Sequence, residues 1–311
     1  MGVNVKHSAF LCPGQASQKV GMCKDIYELN GYAKDRVDSA NDILGYDIKR
    51  IMFSGPEELL RQTIHTQPAM YIVSFIIAKL LIQNGFNPSC AAGHSLGEFS
   101  AFSIAGAFSY ENGLKLVQAR AEAMHEAGQN RPGTMAAVVG LEEIKIEEIC
   151  SNFSNGVACI ANYNSSSQVV ISGDVDSIKK VSPQLLDAGA MKVIPLNVSG
   201  AFHSPLMSSA KEKLDEYLRS IEIANTDFPV YANFTSKAVQ EKSEIQNVLL
   251  NQIENPVLWH RSISQMIKDG VKSCIETGPG KVLQGLSRRI DRSLIMYGAE
   301  SYEDILNLTR V

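Results

Sequence analysis

A serine between two glycines is the strongest candidate for a reactive residue in this sequence. Residues 93–98 read GHSLGE, so Ser95 fits the pattern G-x-S-x-G. The apolar stretch 88–95 predicts a short strand before the serine, and 96–106 predicts a helix after it. In that context the glycines allow a sharp, closely packed turn, and the hydroxyl is exposed at the helix N-terminus. We expect Ser95 to be a nucleophile; the alternative is that it only caps the helix.

A serine hydroxyl needs a base to react at neutral pH, and the sequence contains six histidines. His203 stands in SGAFHSP, a turn between a predicted strand and a predicted helix, where catalytic groups often lie. His94 adjoins Ser95, but its side chain should leave the turn in another direction. The remaining histidines are typical of surface or hydrogen-bonded structural residues: His7, His65, His125 and His260. His203 is the favoured base, although the residues alone leave a structural role open.

Arg120 lies on a predicted amphipathic helix over 109–128 and has no acidic neighbour one helical turn away. Its neighbours at those spacings are Leu116, Val117, Ala123 and Met124. One interpretation is that the side chain extends from the edge of the apolar stripe into water. The other is an inward guanidinium that binds an external carboxylate through two parallel hydrogen bonds. The residues alone favour the first.

Two glycine-containing turns could bind anions. CPGQASQ (12–18) follows the first predicted strand, over 7–14, and could present backbone N–H groups to an oxyanion. GPGK (278–281) lacks the full G-x-x-x-x-G-K-[ST] pattern, so a nucleotide-binding loop is not expected there.

Strands alternate with helices on both sides of residues 134–198, which predicts an α/β fold with a mainly parallel sheet. Helices are expected around 22–43 and 66–85, among others. The segment 134–198 has the order β-α-β-β-α-β and predicts a ferredoxin-like small domain. We therefore expect one domain formed by 1–133 and 199–311, with the small domain inserted between its halves.

The composition excludes several classes of protein. The 311 residues carry a formal net charge of −4 and contain no basic block, so neither nucleic acid nor a membrane surface is expected as a partner. No signal peptide is evident, and the apolar run 68–82 contains Lys79 and is too short to span a bilayer. The six cysteines are scattered without a C-x-x-C pair, which is typical of reduced thiols in a cytoplasmic protein.

Several short motifs occur together in one known family. PGQASQ, GHSLGE, QAR, GAFH, NPVLW and ETGPGKVL resemble the malonyl-CoA:acyl carrier protein transacylases of bacterial fatty acid and polyketide synthesis. The resemblance covers about residues 8 to 290. It implies an α/β-hydrolase-like catalytic domain with an inserted ferredoxin-like domain. It also implies malonyl-CoA and an acyl carrier protein as partners, with no metal and no redox cofactor.

The resemblance also implies roles for individual residues. Ser95 would be the nucleophile that becomes malonylated, and His203 the general base and then the general acid. Arg120 would bind the free malonyl carboxylate, so the resemblance reverses the preference stated above. The backbone N–H groups of Gln15 and Leu96 would form the oxyanion hole.

Four further positions match the family less directly. The main-chain carbonyl of Gln252 would orient His203, and Asn162 of the small domain would line the substrate channel. Phe202 precedes His203; in related acyltransferases a phenylalanine there accompanies malonyl preference, because its ring leaves little space for an α-methyl group. Ala16 replaces a glycine usual in the family. We expect a negative φ there, since a positive φ would cost alanine about 1 kcal/mol or more.

Two other function classes remain open. A serine esterase or acyl-CoA thioesterase would share Ser95 and His203, would use water as acceptor, and would usually add an acid between them in the chain. The acids considered are Asp174, Asp176 and Asp187, all in the helical part of the inserted segment. A non-catalytic carrier-binding protein is disfavoured because the serine, histidine and arginine are all present. The choice between a fatty acid and a polyketide carrier protein is left open.

Overall fold

Two β-sheets organise the chain, which the computed structural model describes over residues 4–310. The strands are β1 (Ala9–Cys12), β2 (Ala91–Gly93), β3 (Gly133–Val139), β4 (Ala158–Ser165), β5 (Gln168–Asp174), β6 (Lys192–Pro195), β7 (Val230–Tyr231), β8 (Ala238–Val239), β9 (Ser273–Thr277) and β10 (Ile295–Ala299).

Helices connect and cover these strands. They are α1 (Lys24–Leu29), α2 (Gly31–Leu44), α3 (Ile48–Ser54), α4 (Glu57–Leu60), α5 (Thr63–Gln83), α6 (Leu96–Ile104), α7 (Tyr110–Asn130), α8 (Glu143–Ser151), α9 (Val175–Asp187), α10 (Ser208–Ser220), α11 (Lys242–Asn251), α12 (Trp259–Lys268), α13 (Val282–Ile290) and α14 (Tyr302–Thr309).

The larger sheet has six strands in the order β10-β9-β1-β2-β7-β8. Every neighbouring pair is parallel except β7 with β8, which is antiparallel. All residues of β1, β2 and β9 are buried, as expected for strands that helices cover on both faces. The predicted α/β fold with a mainly parallel sheet is confirmed.

The smaller sheet has four strands in the order β4-β5-β3-β6, and all its pairs are antiparallel. Helices α8 and α9 pack on it through Ile146, Val181 and Leu185. The order along the chain is β3-α8-β4-β5-α9-β6, so the predicted ferredoxin-like unit is confirmed. The domain boundaries at residues 133/134 and 198/199 stay a prediction.

Helix α5 is the main buried helix of the larger domain. It is longer than the apolar run seen in the sequence, and by length and composition it could cross a membrane. However, 83% of its most apolar window is buried inside the fold. Lys79, which interrupts the run, donates from Nζ to the carbonyl oxygen of Ile104 at 2.9 Å. The helix expected around 66–85 is confirmed, and it lies in the core of the fold.

Two parts of the larger domain differ from the predicted elements. The helix expected around 22–43 is divided at Asn30, whose extended backbone ends α1 and whose side chain accepts the Ala33 N–H to begin α2. Strand β10 and helix α14 were not anticipated. β10 completes the sheet beside β9, and α14 begins with a capping box formed by Ser301 and Asp304.

Candidate active site

Ser95 lies in a tight turn between β2 and α6, with φ +52° and ψ −109°. The turn needs both neighbouring glycines. A Cβ on Gly93 would lie 1.8 Å from the carbonyl carbon of Gly97, and a Cβ on Gly97 would lie 2.0 Å from the carbonyl oxygen of Cys12. A non-glycine residue with positive φ is strained and must be held by its surroundings. The strand–turn–helix context predicted for Ser95 is therefore present.

His203 accepts a hydrogen bond from the Ser95 hydroxyl and donates one to a main-chain carbonyl group. Its Nε2 lies 2.8 Å from Ser95 Oγ, and its Nδ1 lies 2.8 Å from the carbonyl oxygen of Gln252. A carbonyl only accepts, so Nδ1 carries the proton and Nε2 is free to accept from the serine. The imidazole is 3% exposed. Burial, followed by the nearby Arg120 charge, lowers the pKa of His203 to about 3.

Among residues 4–310, no carboxylate is hydrogen-bonded to Nδ1 of His203. Asp174, one of the acids considered for a hydrolase, accepts the Val157 N–H at 2.6 Å within the small domain. Asp176 and Asp187 are exposed on α9. The partner of Nδ1 is thus the main-chain oxygen that the family resemblance implied.

Arg120 is fully buried, so its guanidinium does not extend into water. Nη1 donates to Gln67 Oε1 at 2.7 Å, while Nη2 donates to Gln252 Oε1 at 2.9 Å and to Ser95 Oγ at 3.2 Å. The guanidinium also lies 5.0 Å above the ring of Phe99. Each of these partners is formally neutral. A buried cation therefore reaches the serine oxygen without a carboxylate bound to it.

A second buried charge lies on the first turn of α6. Glu98 is fully buried; Oε1 accepts the Asn233 N–H at 2.9 Å, and Oε2 accepts Nε2 of Gln252. Burial raises the pKa of Glu98 to about 8, a rise that these two donors and the Arg120 charge offset only in part. Both carboxyl oxygens accept hydrogen bonds from N–H groups, so a proton on either oxygen would be placed against the hydrogen of a donor. Against the effect of burial, we infer the carboxylate form from that hydrogen-bond geometry.

Gln252 and Asn233 connect Arg120 and Glu98 to the serine turn through hydrogen bonds. Besides its carbonyl, Gln252 uses its amide: Nε2 donates to the Ser95 carbonyl oxygen at 2.8 Å. Asn233 accepts the Ser95 N–H at Oδ1 (2.8 Å) and donates from Nδ2 to the Gly93 carbonyl oxygen (2.6 Å). Both side chains are fully buried.

Sequence reasoning missed Glu98, Gln67, Asn233 and the amide of Gln252. Glu98 did leave a signal, because it is the only charged residue in the otherwise apolar and small helix LGEFSAFSI. The amides carry no comparable signal, since a glutamine or asparagine in a mixed segment is ordinary.

The predicted oxyanion-hole residues lie on two segments that touch. The loop after β1 packs against the serine turn: the His94 N–H donates to the Cys12 carbonyl oxygen at 3.0 Å, and a Cβ on Gly14 would lie 2.5 Å from the His94 oxygen. Within residues 4–310, the N–H groups of Gln15 and Leu96 have no bonded acceptor. They are free to donate to a ligand.

The expectation for Ala16 was wrong. Its φ is +78°, in the left-handed region that favours glycine. The chain turns at residues 15–16, and the Ala16 N–H donates to Gln18 Oε1 at 2.8 Å. The turn is therefore built with a strained alanine beside Gln15.

Phe202 and Asn162 occupy different surroundings. Phe202 is buried next to His203, and a Cβ on Gly200 would lie 3.2 Å from its ring. Asn162 is buried on β4, where its backbone forms a bridge with Val257. Asn164, two residues further along β4, accepts at Oδ1 from His94 Nε2 (2.8 Å), so His94 points to the small domain and not to the serine hydroxyl.

The GPGK turn precedes α13, but an internal carboxylate occupies the helix N-terminus. Glu276 accepts the N–H of Leu283 at Oε1 (3.0 Å) and the N–H of Gln284 at Oε2 (3.1 Å). These are the groups that would bind a phosphate. The turn is thus a structural cap.

Comparison with known proteins agrees with this geometry. The acyl transferase domain family matches residues 9–299. A malonyl CoA-acyl carrier protein transacylase of Bacillus subtilis is 38% identical over 288 residues, covering 92% of this chain and 91% of the relative. One from Staphylococcus aureus is 37% identical over 300 residues, covering 96% and 97%.

Solved structures give the same relationship. An acyl carrier protein S-malonyltransferase from Vibrio cholerae superposes with a TM-score of 0.93 at 36% identity, covering 96% of this chain and 99% of that one. A malonyl-transacylase solved in complex with its type II polyketide synthase acyl-carrier protein superposes with a TM-score of 0.94 at 34% identity, covering 98% and 99%.

Sequence and fold thus agree over nearly the whole length. The chain is an acyltransferase enzyme and belongs to the malonyl CoA-acyl carrier protein transacylases, within the acyl transferase domain family.

Proposed function

We propose that this enzyme transfers a malonyl group from malonyl-CoA to the phosphopantetheine thiol of an acyl carrier protein, through a malonyl ester on Ser95. One observation carries the proposal: Ser95 Oγ is hydrogen-bonded both to His203 Nε2 and to Arg120 Nη2. A nucleophile, its base and a buried cation therefore meet at a single oxygen. The relatives' names agree with this substrate and this carrier.

In the first half-reaction, Ser95 Oγ attacks the thioester carbonyl of malonyl-CoA while His203 Nε2 takes the hydroxyl proton. The carbonyl oxygen becomes an oxyanion, which the N–H groups of Gln15 and Leu96 stabilise. The carbon–sulfur bond then breaks, and the proton on His203 passes to the CoA thiolate. The products are the Ser95 malonyl ester and free CoA.

The second half-reaction reverses these roles. His203 takes the proton of the phosphopantetheine thiol, and the sulfur attacks the ester carbonyl. The carbon–oxygen bond to Ser95 breaks, and the proton on His203 returns to Oγ. The Gln252 carbonyl keeps Nδ1 protonated throughout, because it can only accept. This is a ping-pong mechanism, since CoA leaves before the carrier reacts.

Arg120 is proposed to select the acyl group. The malonyl carboxylate is one methylene beyond the ester carbonyl, and Nη2 already lies 3.2 Å from Ser95 Oγ. A buried carboxylate without a partner is costly, so an acyl group that brings one is stabilised where a guanidinium is held by neutral groups only. Acetyl gains nothing from that cation.

Phe202 and Asn162 are proposed to shape the rest of the substrate site. The Phe202 ring beside His203 would exclude an α-methyl group and so favour malonyl over methylmalonyl. Asn162, on the small domain, is proposed to line the channel through which the thioester arm enters. We also propose the domain boundaries given above and a cytoplasmic location.

A serine hydrolase is the competing function for the same residues. The carbonyl behind His203 supports a transferase of this family, because the acids considered for a hydrolase lie elsewhere. Both a fatty acid carrier and a polyketide carrier remain candidates for the acceptor.

Measuring CoA release from malonyl-CoA separates the two functions. A transferase should release one equivalent per enzyme without carrier protein and turn over only when holo carrier protein is added. Ser95→Ala should release none. Sustained release without carrier protein would identify a hydrolase and contradict the proposal.

A further inference from the structure

Glu98 is a fully buried acidic residue that none of the proposed chemical steps uses. We propose that Glu98 is a positioning residue that orients the Gln252 amide, and through it Arg120, so that preference for an acyl group bearing a carboxylate depends on Glu98. This inference rests on the proposed function, because it assigns Arg120 to the malonyl carboxylate.

The orientation of the Gln252 amide follows from the partners around it. Nε2 faces the Ser95 carbonyl oxygen, a Glu98 oxygen and, at 3.5 Å, Asn233 Oδ1, all of which only accept. Oε1 faces Arg120 Nη2, which only donates. The amide can satisfy these partners in one orientation alone. Glu98 supplies one of the two closer acceptors that specify it.

A neutral amide at position 98 would no longer fix the orientation of the Gln252 amide. Both Glu98 oxygens accept N–H groups, one from Asn233 and one from Gln252. A glutamine at 98 has one acceptor and one donor end, so its NH₂ group must face one of those donors. If the new NH₂ group faces Gln252, the Gln252 amide must rotate to accept from it. The NH₂ group of Gln252 then faces the N–H donor of Arg120. The guanidinium loses an acceptor and its fixed position.

The Gln252 amide also separates the two buried charges. It lies between Glu98 and Arg120, and each partner bonded to Arg120 is neutral. Glu98 can therefore offset the buried positive charge through space without occupying the guanidinium N–H groups. An incoming carboxylate then competes for the guanidinium N–H groups only with neutral acceptors, and not with a directly bonded glutamate.

The second oxygen of Glu98 supports a different feature. It accepts the Asn233 N–H, and Asn233 in turn accepts the Ser95 N–H. These two hydrogen bonds stabilise the serine turn, and every acyl substrate reacts with the serine in that turn. Loss of Glu98 should thus lower reaction with any acyl-CoA, and should lower reaction with malonyl-CoA further. The ratio between two substrates isolates the part that acts through Arg120.

The experiment compares kcat/KM for malonyl-CoA and acetyl-CoA in Glu98→Gln. The malonyl-to-acetyl ratio should fall about tenfold, as for loss of one hydrogen bond to a charged group. Glu276→Gln is the matched control, because Glu276 is equally buried and also accepts two N–H groups, but at α13. It should leave the ratio unchanged. An unchanged ratio in Glu98→Gln would overturn the inference.

A double-mutant cycle tests the route through the amide. In Gln252→Ala the amide is absent but the carbonyl behind His203 remains, so the ratio should already be low and Glu98→Gln should lower it no further. An equal fall in both backgrounds contradicts the inference. If Glu98→Gln does not fold, Gln252→Ala alone decides, since an unchanged ratio there overturns it. Failure of wild-type enzyme to transfer malonyl at all would instead contradict the proposed function.

Discussion

Arg120 is a buried cation whose hydrogen-bond partners are all neutral, and that is the basis for its proposed role. An amphipathic helix pattern predicts an arginine at the edge of the apolar stripe. It does not predict that Gln67 on α5 and Gln252, directly after α11, hold the guanidinium inside. The resemblance to a family supplied that expectation, and the burial of the side chain supports it.

Replacing Arg120 with alanine should therefore change substrate preference. We expect kcat/KM for malonyl-CoA to fall at least about a hundredfold more than for acetyl-CoA, since truncating one partner of a buried charge pair costs several kcal/mol. Arg36→Ala is the control: Arg36 lies over the rings of Tyr32 and Tyr110, and its loss should reduce stability without changing the ratio. Equal losses for both substrates in Arg120→Ala would contradict the role.

The low pKa of His203 predicts a characteristic pH dependence. Burial, and then the Arg120 charge, lowers this pKa to about 3, so the neutral base persists into acid. Acylation by acetyl-CoA should stay level down to about pH 5, below the ordinary range of histidine. In Arg120→Ala the second cause is removed, so the pKa rises and the acid fall in kcat/KM moves to higher pH. An acid limb that is unmoved, or moves lower, would refute this assignment.

Phe202 predicts discrimination by size. Phe202→Ser should raise the use of methylmalonyl-CoA relative to malonyl-CoA by about tenfold, because it opens space for one methyl group. Competition between the two thioesters measures the ratio directly. Phe228→Ser, at a partly buried phenylalanine elsewhere in the large domain, should leave that ratio as in the wild type. No change in Phe202→Ser would remove steric exclusion as the explanation.

The elements differ in how far local sequence determines them. The serine turn was predictable from its motif, because the requirement for Gly93 arises within five residues, from contact with Gly97; Gly97 itself is required by its contact with Cys12 of β1. The division between α1 and α2 and the presence of β10 were not, since they depend on a side-chain cap and on pairing with β9. The loop after β1 is intermediate: its place against Ser95 follows from the sheet, but its backbone conformation does not.

Ala16 in that loop provides a test of backbone strain. Its φ of +78° costs an alanine about 1 kcal/mol relative to glycine, so Ala16→Gly should increase the free energy of unfolding by about that amount. Urea denaturation measures the change. Ala188→Gly is the matched control with φ −74°, where the same substitution should lower stability. Destabilisation by Ala16→Gly would show that the alanine is not strained.

The whole molecule brings together residues that are far apart in sequence. Ser95, Arg120, His203, Asn233 and Gln252 meet at one place, and His203 stands where the chain returns from the small domain to the large one. The sequence motifs and the resemblance to a family identified the side chains expected to take part in the chemistry. The buried network behind them could not be predicted, because each amide is ordinary in its own segment and acquires its partners only through tertiary packing.

The Ser95 malonyl ester is the central claim, and intact-protein mass spectrometry tests it most directly. After incubation with malonyl-CoA, the enzyme should gain the mass of one malonyl group, which peptide mapping should place on Ser95. That mass should disappear when holo carrier protein is added, and it should never appear in Ser95→Ala. An enzyme that transfers malonyl while its own mass stays unchanged, or that acquires the group in Ser95→Ala, would contradict the proposed mechanism.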